Sequence, residues 1–89
     1  MKAVITVMGK DRSGIIASVS GLCAEYNANI LEITQSVLSE YFAMIMLVDI
    51  DRITIPFTDF VDTLSARGEK EGLVIRTMHE DIFNSMHRI

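Results

Sequence analysis

The 89-residue sequence is poor in the residues that mark several protein classes. Its single cysteine, Cys23, allows no internal disulfide, which fits a reducing compartment. Eight lysines and arginines against twelve aspartates and glutamates give a net charge of −4, which argues against a nucleic-acid or anionic-membrane surface. The longest apolar run, residues 42–48, falls far short of the ~20 residues that span a bilayer. We therefore expect a cytoplasmic protein with no nucleic-acid or membrane partner.

One proline and five glycines leave little room for linkers, so a single domain over residues 1–89 is expected. Apolar periodicity predicts strands over 2–8, 30–39, 41–50 and 73–79, helices over 14–26 and 56–71, and a helical extension over 80–89. This order predicts an α+β, ferredoxin-like βαββαβ fold. Its four-stranded antiparallel sheet carries two helices on one face, with the strands in the order fourth, first, third, second.

Several residues carry local predictions about the helix ends and contacts. Ser13 is a candidate N-cap for the first helix, and the Asn27-Ala28-Asn29 segment should end it, because asparagine tolerates the left-handed conformation. Gly21 predicts a close helix contact. Gly68 is expected to loosen the second helix, and Gly72 to end it.

The third strand is apolar on both faces and should therefore be covered on both. Its two faces are formed by Phe42, Met44, Met46 and Val48 and by Ala43, Ile45 and Leu47. Either the C-terminal tail folds back over the open side of the sheet, or a second subunit docks there; we favour the oligomer. The second strand is an edge with apolar groups, which invites pairing with another chain.

The turn before the first helix is the best candidate for a binding site. A helix that begins at Gly14 directs unpaired backbone amides out of the turn, and such amides attract anions. We hypothesise that the carboxylate of a small amino acid binds the amides after Ser13, its ammonium binds Asp11, and Asn29 adds a hydrogen bond. The alternative is a purely structural turn, in which Asp11 caps the turn and Arg12 is solvated.

The sequence offers little for catalysis or metal binding. Cys23 lies on an apolar helix face, which predicts a buried, inert thiol. His79 and His87 are not part of a cluster at metal-ligand spacing, and no Gly-rich phosphate motif or Ser/His/Asp set is present. An acylphosphatase-like hydrolase would need a basic phosphate cradle that this loop lacks. We therefore predict no catalytic residue, no metal and no cofactor.

The residues Thr6-Val-x-Gly9-x-Asp11-Arg12-x-Gly14-Ile15, followed by Val19-Ser20-x-Leu22 and Asn27-Ala28-Asn29-Ile30, resemble the ACT domain family. The segment from His79 to Ile89 resembles a group of stand-alone single-ACT-domain proteins. The resemblance implies a small module that binds amino acids and regulates metabolic enzymes. It also implies dimers joined edge to edge through the second strands, with the ligand between the first turn of one subunit and the Asn29 region of the other.

Carried over by position, the implied site consists of Gly9, Lys10, Asp11, Arg12, Ser13, Gly14, Ile15 and Asn29. Serine-binding members of the family carry histidine at the position of Gly9 and asparagine at that of Asp11, so this chain departs from serine recognition of that kind. The favoured function is a ligand-sensing homodimer, or higher homo-oligomer, that binds an amino acid or similar small molecule and acts through a partner enzyme or regulator. The alternative is a ligand-free interaction or scaffold module that regulates a partner through its sheet face and tail.

Overall fold

Alternating strands and amphipathic helices build this fold, and a computed structural model describes residues 1–87. The elements are β1 (Lys2–Lys10), α1 (Ile15–Glu25), β2 (Asn29–Leu38), β3 (Tyr41–Asp49), α2 (Phe57–Glu71), β4 (Leu73–His79) and α3 (Glu80–Met86). The sheet order is β2-β3-β1-β4, and all neighbouring strands are antiparallel. The predicted ferredoxin-like fold and strand order are therefore confirmed. Arg88 and Ile89, the last two residues of the helical extension predicted over 80–89, lie outside the described residues.

The core lies between the sheet and the two long helices. Every second residue of β1 and β3 is buried on this side, which explains the alternating patterns of both strands. Each of the two long helices packs one stripe of buried apolar side chains against this side of the sheet. The most deeply buried side chains include Ile5, Val7, Val19, Cys23, Met44, Met46, Val48, Phe60 and Leu64.

Glycine and asparagine set the ends of the long helices. Gly14 has φ 91° and precedes α1 without any side-chain capping bond, so the predicted N-cap role of Ser13 is wrong. Gly14 itself is the residue that flanks the helix, which leaves Ser13 one position too early to reach the first amides. Asn27, with φ 62°, confirms the left-handed exit of α1, and Gly72, with φ 74°, confirms the end of α2.

The predictions for the two glycines inside the helices are both wrong. A Cβ atom at Gly68 would lie 2.7 Å from the Leu73 carbonyl oxygen and 2.9 Å from Ile75 Cγ1. Gly68 therefore does not loosen α2; it allows α2 and β4 to pack closely. Gly21 is exposed, and a Cβ there would meet no atom within 4 Å in residues 1–87, so it makes no close helix contact within the protomer.

The sheet side facing away from α1 and α2, here called the open face, is only partly covered. It carries Lys2, Val4, Thr6, Met8 and Lys10 of β1 together with the residues paired with them. Val4 is only 4% exposed, and α3 contacts β1 and β4, which together place α3 over the end of the open face where β4 finishes. At the other end Met8 is 58% exposed, and Ile45 on β3 is 47% exposed. The tail thus lies over β1 and β4, while Ile45 on the same face of β3, for which we expected a cover, stays exposed.

Among residues 1–87, no helix is long and apolar enough to cross a membrane.

Candidate functional site

A cleft of about 450 Å³ lies between the first turn of α1 and the last part of β2. We call it the α1 cleft. It is lined by Asp11, Arg12, Ser13, Gly14, Ile15, Ile16, Ala17, Gln35, Ser36, Val37 and Phe42. Five of the eight predicted site residues, those from Asp11 to Ile15, therefore meet in one concave surface.

Unpaired backbone amides at the start of α1 give the α1 cleft its electrostatic character. The first intrahelical bond runs from the Ser18 amide to the Gly14 carbonyl at 2.9 Å. In the described part of the chain, no acceptor takes the amides of Ile15, Ile16 or Ala17, and no side chain caps the helix. These amides and the helix dipole amount to about half a positive elementary charge, which favours an anionic group.

Arg12 is held in place by α2 rather than solvated. Its Nη2 atom lies 2.6 Å from Glu71 Oε1, and its Nη1 atom donates to the Ser13 carbonyl at 3.2 Å. The Ser18 hydroxyl donates to Glu71 Oε2 at 2.8 Å, and Arg67 Nε lies 3.7 Å from the same oxygen. The hydrogen bonds from Ser18 and Arg12 lower the pKa of Glu71 below its ordinary value of 4.5. The Arg12–Glu71 pair therefore fixes the turn between β1 and α1 against the end of α2.

This pairing predicts an acid-sensitive contribution to stability. Because the pKa of Glu71 is lowered in the folded state, its stabilising effect is present above pH ~4.5 and is lost as the pH falls through the folded-state pKa. We expect Glu71→Gln to lower the free energy of unfolding by about 1 kcal/mol at neutral pH. In urea unfolding the difference between the two proteins should shrink when the pH is lowered from neutral to below ~4.5. A difference that stays the same at both pH values would contradict an ionic role for Glu71.

Asp11 is the acidic side chain of the α1 cleft. Its backbone amide donates to the Glu40 carbonyl at 2.7 Å, which ties the turn to the β2–β3 hairpin. Its carboxylate is exposed and makes no hydrogen bond or ion pair within residues 1–87. The carboxylate is therefore not used as a cap of the turn, which was its role in the structural alternative.

Two of the predicted residues at the end of β1 do not line the α1 cleft. A Cβ at Gly9 would lie 2.7 Å from Leu73 Cδ2 and 3.1 Å from the Gly72 carbonyl oxygen, so this glycine permits the close approach of β4. Lys10 pairs with Tyr41 and lies on the open face. Within the protomer, Gly9 and Lys10 are thus packing and surface residues, and their role in ligand binding stays a prediction.

Asn29 lies at the opposite end of the sheet from the α1 cleft. It pairs with Asp49, which pairs with Lys2, whereas the α1 cleft follows Lys10. Eight strand residues separate these ends, a span of roughly 26 Å. Asn29 instead lines a separate polar depression of about 540 Å³ with Asn27, Asp49, Asp51 and Arg52. One protomer alone does not bring Asn29 to the turn.

Sequence reasoning missed the contribution of β2 to the α1 cleft. Gln35 pairs with the buried Met44, so it lies on the helix-facing side of β2 between the apolar Ile33 and Val37. A polar residue at an apolar position of a strand was the available signal. The role of Gln35 could be inferred only once it was known that α1 begins beside this part of β2.

The remaining reactive groups are inert or dispersed. Burial raises the pKa of Cys23 to about 11, and its side chain is inaccessible, which confirms the interpretation as a buried thiol. His79 stacks on Phe57 with ring centroids 4.0 Å apart. Across the described residues, no three or more histidine, cysteine, aspartate or glutamate side chains are grouped to hold a metal ion.

Comparison with known proteins identifies the family to which this chain is similar. A family model described as an ACT domain matches residues 2–77. The chain is 48% identical over 89 residues, the full length of both chains, to a UPF0237 protein of Clostridium acetobutylicum. It superposes on a solved ACT domain protein from Streptococcus pneumoniae with a TM-score of 0.82, 44% identity and 98% coverage of each chain.

A more distant solved structure shows the same fold inside a larger chain. A formyltetrahydrofolate deformylase from Pseudomonas syringae is 24% identical with a TM-score of 0.78; the match covers 88% of this chain and 27% of that one. At this identity the likeness concerns the fold alone. The family match over most of the chain and the full-length relative together show that the protein belongs to the ACT domain family.

Proposed function

We propose that this protein is a regulatory module that senses a zwitterionic small molecule, an amino acid or a close analogue, at the seam of a homodimer. It acts on a partner enzyme or regulator and has no catalytic role. ACT domains are regulatory modules that typically bind small ligands, which supports the general part of this proposal. The chemistry and position of the α1 cleft support the specific part.

The observation that carries the proposal is the pairing of opposite electrostatic features in one cleft. The unpaired amides of Ile15, Ile16 and Ala17 suit a carboxylate, and the unpaired carboxylate of Asp11 suits an ammonium. Glu71 neutralises Arg12, so the cleft holds no free guanidinium that would favour a dianion. A ligand with one positive and one negative group matches this arrangement.

The exposed edge of β2 supports pairing with a second copy. Ile33 is 39% exposed and Val37 is 54% exposed on the helix-facing side of this edge strand, where β1 and β3 are buried. If the β2 strands of two copies pair about a twofold axis, they run antiparallel. Asn29 of one copy then lies opposite the Val37–Leu38 end of the other. That end borders the α1 cleft.

Such a seam gives the ligand a means of regulation. A ligand held by Asp11 of one copy and Asn29 of the other contacts both subunits at once. It can therefore shift the relative arrangement of the subunits by its difference in affinity for the two arrangements. A partner that contacts both subunits would detect that change.

A thermal-shift panel of the common amino acids tests the proposal. At 100 times its dissociation constant a true ligand stabilises the fold by ~2.7 kcal/mol, a rise in melting temperature on the order of 10 °C. Asp11→Ala should weaken the response by roughly 10- to 100-fold in ligand concentration, since a charged hydrogen bond is lost. Asp62→Ala on the exposed side of α2 is the matched control and should respond like the wild type.

If no amino acid in the panel raises the melting temperature, the result would contradict sensing of an amino acid. It would favour the alternative function, a scaffold module that binds a partner protein without a ligand. The exposed apolar part of the open face is the observation that favours this alternative. A shift that persists unchanged in Asp11→Ala would show that the ligand binds elsewhere.

A further inference from the structure

The uncovered end of the open face is an apolar surface that the proposed sensing function does not use. It is formed by Met8, Leu38, Tyr41, Ala43 and Val74, which line a shallow groove of about 480 Å³, and by the exposed Ile45 further along β3. Leu38 is 77% exposed, and Met8, Tyr41 and Val74 are each more than half exposed. A contiguous surface of this kind marks an interaction site in a water-soluble domain.

The strand side chains on the open face carry more positive than negative charge, whereas the whole chain is acidic. The side chains of Lys2, Lys10 and Arg76 lie on this side of the sheet, against only Glu32 and Asp49. The strand residues of this face are therefore net positive in a protein whose overall charge is −4, and Glu80 and Asp81 of α3 add negative charge only at the end that α3 covers. An occupant with apolar groups and acidic neighbours would match both features.

The α3 segment of the same chain has these properties. Phe83 is half-buried, whereas Ile82 is 52% exposed and Met86 is 64% exposed. Ile82 and Met86 are four residues apart and so lie on one side of the helix. Glu80 and Asp81 add two acidic groups in the first turn.

We propose that a second copy of this chain covers the open face, with α3 of each copy seated on the uncovered end of the other. In each copy α3 covers the end where β4 finishes and leaves the opposite end bare. A twofold axis parallel to the two facing sheets and across their strands brings each α3 over the bare end of its neighbour. Ile82 and Met86 then meet Met8 and Val74, and the acidic first turn of α3 lies near Arg76.

The size of the face is sufficient for such an interface. A four-stranded sheet with nine-residue strands spans roughly 19 by 30 Å, and the sides of α3 add to this area. A standard interface buries ~800 Å² on each partner. The open face and the β2 edge are different surfaces, so the two contacts together would assemble four copies, whereas each alone gives a dimer.

Light scattering on the full chain tests the proposal. The wild type should have the mass of a tetramer, and Val74→Asp should halve it, because a carboxylate would be buried in the apolar seam. Ala66→Asp, which adds the same charge on the exposed side of α2, should leave the mass unchanged. Circular dichroism checks that both variants remain folded.

A second variant tests α3 itself and the charge match. Met86→Asp should also halve the mass. Arg76→Glu should weaken the assembly, and Arg76→Glu combined with Asp81→Lys should restore it. A monomeric wild type, or a mass that Val74→Asp and Met86→Asp leave unchanged, would overturn the proposal, whereas a dimer that both variants dissociate would support it without the β2 contact. None of these masses measures amino-acid binding, which the thermal-shift panel measures separately.

Discussion

Aspartates at both Ile33 and Val37 should abolish the proposed β2 pairing and the ligand response together. These side chains are partly exposed in the protomer, so the fold should tolerate the change. In an antiparallel pair with Asn29 opposite Val37, the Ile33 positions of the two copies lie opposite each other, so aspartates there are like charges across the strand pair, which is destabilising. An aspartate at Val37 places a further charge on the apolar side of each end of the seam. Light scattering should show half the mass of the wild type, and the ligand that raises its melting temperature should have no effect.

The matched control for this variant is Thr58→Asp combined with Ala66→Asp. It places two aspartates on exposed positions of α2 and should keep both the mass and the ligand response. If the β2 variant loses its mass but still binds the ligand, one protomer holds a complete site and Asn29 has no part in it. If the mass is unchanged, the chains do not pair through β2.

Replacement of Phe60 by alanine should cause a large loss of stability. Phe60 is fully buried, and its ring lies 6.4 Å from that of Tyr26 in an edge-to-face arrangement. Removing a buried phenylalanine side chain costs about 3–5 kcal/mol. A domain of this size has a total stability of roughly 4–13 kcal/mol, so the variant should be partly unfolded at 37 °C. Urea unfolding measured at low temperature gives the difference directly.

Phe57→Ala on the same helix is the control for this loss. Phe57 is half-buried and stacks on His79 at the edge of the core, so its removal should cost less than half as much. Equal losses for the two variants would mean that the centre of the core is not where α2 meets the sheet.

The fold was predictable because local patterns and long-range packing agree. The alternating residues of β1 and β3, the helical stripes and the left-handed exits at Asn27 and Gly72 all point to one topology. The predictions for Gly21 and Gly68 were wrong because a helix sequence alone does not tell which face meets a neighbouring strand. Gly68 is fixed by the backbone of β4, which is seen only once the sheet is assembled.

The candidate site was predictable only in its continuous part. The turn from Asp11 to Ile15 follows from a strand, a polar segment and a helix start in sequence order. Gln35 joins that turn through the sheet register, which one-dimensional reasoning did not resolve. The partnership of Arg12 with Glu71 spans 59 residues, and no local pattern signals it.

The most direct test of the shared seam is a mixing experiment with two binding-deficient variants. Asp11→Ala and Asn29→Ala homodimers should each bind the amino acid more weakly than the wild type, by roughly 10- to 100-fold for Asp11→Ala. When the two are unfolded together and refolded, every mixed dimer contains one site with both residues intact. Calorimetric titration should then recover binding at one site in each mixed dimer. If the mixture binds no more than the separate variants, Asp11 and Asn29 do not act across the two subunits, and the proposed site is wrong.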